Sequence, residues 1–129
     1  MTETSQTPKR LFDLEERTLH FSKDVAKFCK LLSADAVNRE YITQVIRSSG
    51  SVGANYIEAN EALSKKDFMM RIKICRKEAK ETIYWLTLIA HCNEVDKQIS
   101  AALIQEATEL KKIFSSLLKK ANNRFGIRN

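Results

Sequence analysis

Between Lys9 and Arg128 the chain contains no proline, and it holds only three glycines, Gly50, Gly53 and Gly126. A sheet-rich fold needs turn residues at regular intervals, and this chain lacks them. Long helices joined by short polar loops are the remaining way to bury 129 residues. That length fits one domain, and a domain of this size buries roughly two thirds of its unfolded surface. It needs no disulfide or structural metal. Its three cysteines, Cys29, Cys75 and Cys92, are odd in number and far apart. Reduced thiols and a cytoplasmic location fit that pattern best. Met1 to Lys9 is polar and does not read as a signal peptide. No stretch approaches the ~18 apolar residues of a membrane span.

Apolar periodicity predicts four helices. The first runs from Leu14 to Leu32 on a stripe of Leu14, Phe21, Val25, Phe28 and Leu32. Ser33 to Asn38 is a polar linker, short enough to turn the next helix antiparallel. The second helix spans Arg39 to Ala62, with Ile42, Val45, Ile46, Ser49, Val52, Gly53 and Tyr56 inward. Its middle, Ser48 to Ala54, is a run of small residues. Either a neighbouring helix comes close there, or the helix breaks near Gly50. Ser64 is the expected N-cap of the third helix, with Asp67 placed as in a capping box. Phe68, Ile72, Cys75, Ala79, Thr82, Leu86 and Ile89 then repeat in four-three alternation, as in bundle seams. A second stripe of Ile74, Glu78, Glu81, Trp85, Leu88 and Cys92 lies beside it. One helix with two such stripes has more to bury than one core, so the second is the expected subunit interface. The fourth helix, Lys97 to Lys120, carries Ile99, Leu103, Ala107, Leu110, Phe114, Leu117 and Ala121. The prediction is an all-α, antiparallel up-down-up-down four-helix bundle over residues 11–121. Residues 1–10 are a disordered lead and 122–129 a basic tail.

Net charge is +6 and unevenly spread. Lys65 to Lys80 carries seven basic residues and two acidic ones: Lys65, Lys66, Arg71, Lys73, Arg76, Lys77 and Lys80 against Asp67 and Glu78. Lys111 to Asn129 carries six basic residues and no acid: Lys111, Lys112, Lys119, Lys120, Arg124 and Arg128. The rest of the chain is left at −5. Two basic faces on an acidic body suit a polyanionic partner; two solvated lysine-rich faces are the alternative.

Catalytic chemistry is hard to assemble from these residues. There are two histidines, His20 and His91. His91 and Glu94 make one reversed pair, where a ferritin-like metal site needs two Glu-x-x-His motifs and two further glutamates. No catalytic, metal or cofactor residue is assigned. Cys75 falls on the core stripe and reads as a small hydrophobe. Glu78 and Glu81 need partners if their face is buried. Those are Arg47 or another subunit, unless both acids are solvated beside Lys77 and Arg71. Asn55 and Glu58, with Ser51, bridge helices two and three or bind a ligand. Tyr84 and Trp85 are core or interface residues, or stack on bases.

The run Ser51-Val52-Gly53-Ala54-Asn55-Tyr56-Ile57-Glu58-Ala59 is followed by Ser64-Lys65-Lys66-Asp67-Phe68. Then comes Lys77-Glu78-Ala79-Lys80-Glu81-Thr82-Ile83-Tyr84-Trp85-Leu86. Over residues 44–89 this closely resembles the proteins encoded by intervening sequences of bacterial 23S ribosomal RNA genes, also labelled S23 ribosomal protein. Many members read Asn-Ile-Ala-Glu-Gly where this chain has Asn55 to Ala59. The missing glycine favours a helix continuing toward Ala62. The resemblance implies an antiparallel bundle assembling as a ring-shaped homopentamer, with no established catalytic activity. It also implies kinship with accessory proteins of diversity-generating retroelements, which bind a reverse transcriptase and nucleic acid through a basic surface. Within the motif Ser51, Asn55, Glu58, Glu78, Glu81 and Trp85 look structural or interfacial. The expectation is a non-enzymatic RNA-associated oligomer holding phosphates on its basic faces; a protein-binding scaffold without RNA is the alternative.

Overall fold

A computed structural model describes residues 14–124. Four helices account for nearly all of them: α1 Leu14–Cys29, α2 Ala36–Asn60, α3 Lys65–Cys92 and α4 Lys97–Arg124. No strand occurs among the described residues. The expected lead, residues 1–10, lies outside them, and the first part of the expected basic tail, Asn122 to Arg124, is helical.

Side-chain caps fix where the helices begin. Asp35 accepts from the Asn38 amide at 2.8 Å and starts α2 three residues before the predicted Arg39. Ser64 accepts from the Asp67 amide at 3.0 Å, as its capping sequence predicts. Asp96 accepts from the Gln98 amide at 2.8 Å and opens α4. Each satisfies an amide that the first helical turn would leave unpaired. α1 stops at Cys29, short of the predicted Leu32. The amides of Leu31 and Leu32 turn back to Phe28 and Cys29, tightening the end into a turn. α2 passes Ala59, as the missing glycine suggests, but stops at Asn60, where the Glu61 amide closes onto Glu58 and Ala59. With no glycine before Gly126, α4 continues four residues beyond the predicted Lys120.

The α3 stripe is the spine of the core. Ile72, Cys75, Ala79, Thr82, Leu86 and Ile89 are all fully buried, and Phe68 is half-buried at the end. On α4 the predicted stripe drifts at both ends. Ser100 and Leu118 are buried where Ile99 and Leu117 were expected; Ile99 is 40% exposed. A strict seven-residue repeat falls ~20° per heptad behind a straight helix. The buried face of a 28-residue helix must therefore shift register. On α2, Ile46 is exposed and Ser48 is buried in its place, bonded to Thr82 at 2.8 Å.

Polar rungs join α2 to α3. Asn38 and Asn93 bond reciprocally at 2.9 Å each way, Ser48 meets Thr82, and Arg71 donates to Asn55 at 3.0 Å. Residue numbers rise along α2 as they fall along α3. α1 meets α2 through Gly53, where an added Cβ would lie 2.8 Å from Thr18 Oγ1. α2 is one continuous helix through Gly50 and Gly53. The small residues thus serve close approach and do not break the helix. α1 is tied to α4 by Arg17, which pairs with Glu106 at 2.7 Å and Glu109 at 3.0 Å.

Candidate nucleic-acid interface

The two basic stretches, some forty residues apart in sequence, meet between α3 and α4. A cleft of about 540 Å³ is lined by Met69, Lys73 and Arg76 from α3 and by Ser115, Ser116, Leu118, Lys119 and Asn122 from α4. No acidic residue among the described ones lines it. Arg76 Nη1 reaches across to Ser115 Oγ at 3.5 Å, a long contact that holds the guanidinium over the opening. The remaining guanidinium donors are left for a ligand. Lys77 and Lys80 sit one turn on from Lys73 and Arg76, while Lys111 and Lys112 sit one turn before Ser115 and Ser116. Positions four apart share a helix face, so the cleft extends into a basic seam along both helices. Lys66 is exposed at the start of α3, with Lys65 half-buried beside it. Of the thirteen predicted cations, Lys73, Arg76 and Lys119 line the cleft itself. Arg71 turns toward α2 and donates to Asn55. Lys120 is exposed but does not line the cleft. The Arg124 side chain and all of Arg128 lie outside the described residues.

The second α3 stripe forms a different surface, shared with α2. Ile74, Trp85 and Leu88 are half-buried there, while Glu81 and Cys92 are exposed. Trp85 packs on Tyr41, ring centroids 6.0 Å apart, and is met edge-on by the exposed Tyr84 at 5.0 Å. Glu78 Oε1 is buried with no hydrogen-bond partner among the described residues. Burial, and then the neighbouring Glu81 charge, push the Glu78 carboxyl above the usual carboxylate range; Lys77 and Arg47 pull the other way. Arg47 bonds to Gln44 at 2.8 Å and Arg71 to Asn55, so neither predicted arginine bonds Glu78. Asn55 also donates to Ser51 Oγ at 2.9 Å within α2, while its link to α3 is the bond it accepts from Arg71; Glu58 is exposed.

Burial pushes the Cys29 thiol up to about 11 and the Cys75 thiol to about 12, so both stay protonated at neutral pH. Cys29 is buried, and Cys92 is exposed. Among the described residues no three His, Cys, Asp or Glu side chains cluster to hold a metal ion. No helix among them is long and apolar enough to cross a membrane.

The family profile described as 23S rRNA-intervening sequence protein matches residues 12–116, most of the chain and all four helices in whole or part. The chain belongs to that family. A crystal structure of a protein of unknown function from the S23 ribosomal protein family of Bacteroides thetaiotaomicron is similar to it, with 31% identity and a TM-score of 0.72. The likeness covers 82% of this chain and 98% of that one. No curated protein matches.

For this 23S rRNA-intervening sequence protein family member, the match takes in every α3 cation, Lys111, Lys112 and both cleft serines, and stops before Lys119. Sequence reading missed Ser115, Ser116, Met69 and Leu118 as lining residues. A signal was present: Lys111, Ser115 and Lys119 recur every four residues. The serines look like bland filler until α3 is seen to set its own cations opposite them.

Proposed function

We propose that this family member is a non-catalytic, cytoplasmic, RNA-associated protein that holds phosphates along the α3–α4 basic seam. The observation that carries this reading is the convergence of Lys73 and Arg76 with Lys119 on one cleft with no acid among its described lining residues. Cations brought together from distant sequence concentrate positive potential where a polyanion can dock. Contacts of this kind are electrostatic, tolerant of sequence and sensitive to salt.

The helices form an up-down-up-down bundle in this reading, and the bundle assembles as a ring-shaped homopentamer. Its interface is the outer α2–α3 face, with Arg47, Ser51, Asn55, Glu58, Glu78, Glu81 and Trp85. Two features support that face. Glu78 Oε1 lacks a donor among the described residues of its own subunit, and Ile74, Trp85 and Leu88 remain half-buried on the surface. Repeating a +6 chain around a ring strengthens the field at each seam.

Fluorescence anisotropy with a structured ribosomal RNA fragment, across a salt series, tests the RNA reading. Micromolar or tighter binding that weakens steeply with salt is expected, and charge reversal of Lys73, Arg76 and Lys80 should abolish it. Absence of binding at low salt would move the function to a protein-binding scaffold, such as an accessory subunit of a reverse transcriptase complex. Light scattering coupled to size exclusion reads the assembly state; a monomer at micromolar concentration would rule out the ring.

A further inference from the structure

The cleft between α3 and α4 is more than a charged strip. Its volume of about 540 Å³ lies in the range of pockets that hold small ligands, ~300–1,000 Å³. It combines three kinds of group. Lys73, Arg76 and Lys119 supply positive charge, and Ser115 and Ser116 supply hydroxyls. Met69 and the nearly buried Leu118 supply an apolar wall. Cations alone would suit any phosphate, including those on the outside of a duplex. An apolar wall inside a cleft has no use for a duplex, whose bases are stacked within and cannot reach it. A single strand presents phosphate, ribose and an unstacked base together, and one such unit uses all three kinds of group.

We propose, building on the RNA-associated reading above, that the α3–α4 cleft is a subsite for one nucleotide of single-stranded RNA. The phosphate sits among Lys73, Arg76 and Lys119. The ribose hydroxyls face Ser115 and Ser116. The base lies against Met69 and Leu118. Among the described residues no aromatic ring lines the cleft, so these residues hold the base by apolar contact and not by stacking. Preference among the four bases is therefore weak, while preference for single strand over duplex is strong. Lys77, Lys80, Lys111 and Lys112 continue the seam to the neighbouring phosphates.

The test compares a labelled single-stranded RNA with its duplex of the same sequence, binding the full-length protein over a salt series. Single strand is expected to bind at least about tenfold tighter. Replacing Lys73 and Lys119 with glutamine should flatten its salt slope by ~0.7 per cation. The combined change Ser115→Leu and Ser116→Leu fills the cleft, removes the hydroxyls and keeps every charge. Leucine is a strong helix former, and a melting curve confirms the fold. This variant should erase the single-strand preference and leave duplex binding within about twofold. Equal binding of both RNA forms, unaffected by the leucine pair but weakened by Lys73→Glu, would overturn the nucleotide subsite and leave the basic seam standing. No RNA binding at low salt would overturn both. Adenosine monophosphate is the third arm: its binding in the cleft without any RNA binding would make the occupant a free nucleotide and overturn the proposal.

Discussion

The contact between α1 and α2 and the contact between α3 and α4 solve the same problem in opposite ways. At the first, Gly53 lets the helices approach until a Cβ would strike Thr18. At the second, Lys73, Arg76 and Lys119 stand where small residues could have closed the gap, and a cleft of about 540 Å³ remains. Small side chains turn a helix contact into packing. Long cations at the edge of a helix pair leave a groove there, because each charged head must stay in water or meet an anion. The closed contact contributes to stability, and the open one is where a ligand fits.

Substitutions at the two contacts should therefore separate stability from binding. The largest loss is expected for Gly53→Leu, which forces a branched side chain into Thr18. A destabilisation of about 2–3 kcal/mol should appear in urea unfolding; an unchanged midpoint would mean the α1–α2 contact is looser than its geometry. Next comes Asn93→Leu, which strands Oδ1 of Asn38, a residue only 2% exposed, while Asn38 Nδ2 keeps the Ser33 carbonyl. About 1–3 kcal/mol is expected, read by the same method. Gly50→Ala should act with the opposite sign to Gly53→Leu. Its Cβ would meet only Ser22 Oγ at an ordinary 3.8 Å, so gained helix propensity should stabilise the fold by about 0.4–1 kcal/mol.

Glu78→Gln should raise the melting temperature slightly at pH 7. The folded carboxyl titrates above its unfolded value, so the fold is favoured with Glu78 protonated and loses stability as the group ionises. The advantage of glutamine should shrink as pH falls below the raised value and vanish below pH ~3, where glutamate is neutral in both states. An advantage that persists in acid would point to packing and not charge. The smallest effect belongs to the open contact. Lys73→Gln and Lys119→Gln should each change stability by under ~0.5 kcal/mol, since neither side chain is buried. A larger loss would mean that the cations help hold the helices together.

Some positions were legible because one local rule governs them. The α3 stripe from Ile72 to Ile89 was read correctly in full, since four-three spacing on a long helix has one inward face. Ser64 was legible as a cap by its place before Lys65-Lys66-Asp67. Asp35 was not: it sat inside a polar run where several residues could cap equally well, and only the packed position of α2 selects it. The Asn55 bridge was legible in kind, yet its partner Arg71 had been placed among the phosphate-binding cations. Helix spacing cannot say which neighbour a long side chain turns toward. Ile46 and Ser48 show the same limit. Hydrophobicity favours the isoleucine for the core, but the partner Thr82 on α3 favours the serine.

By itself, the sequence determined the helical class, the number of helices, the inward face of α3 and the family motif. Each depends on residues close together in the chain, where propensity and periodicity act without knowledge of neighbours. Tertiary structure decided the rest. It put Gly53 against Thr18, left Glu78 Oε1 without a donor among the described residues, and joined two basic stretches into one cleft. Those outcomes depend on which helix lies beside which and in what register, and residues forty apart in sequence share a surface only after the chain has packed.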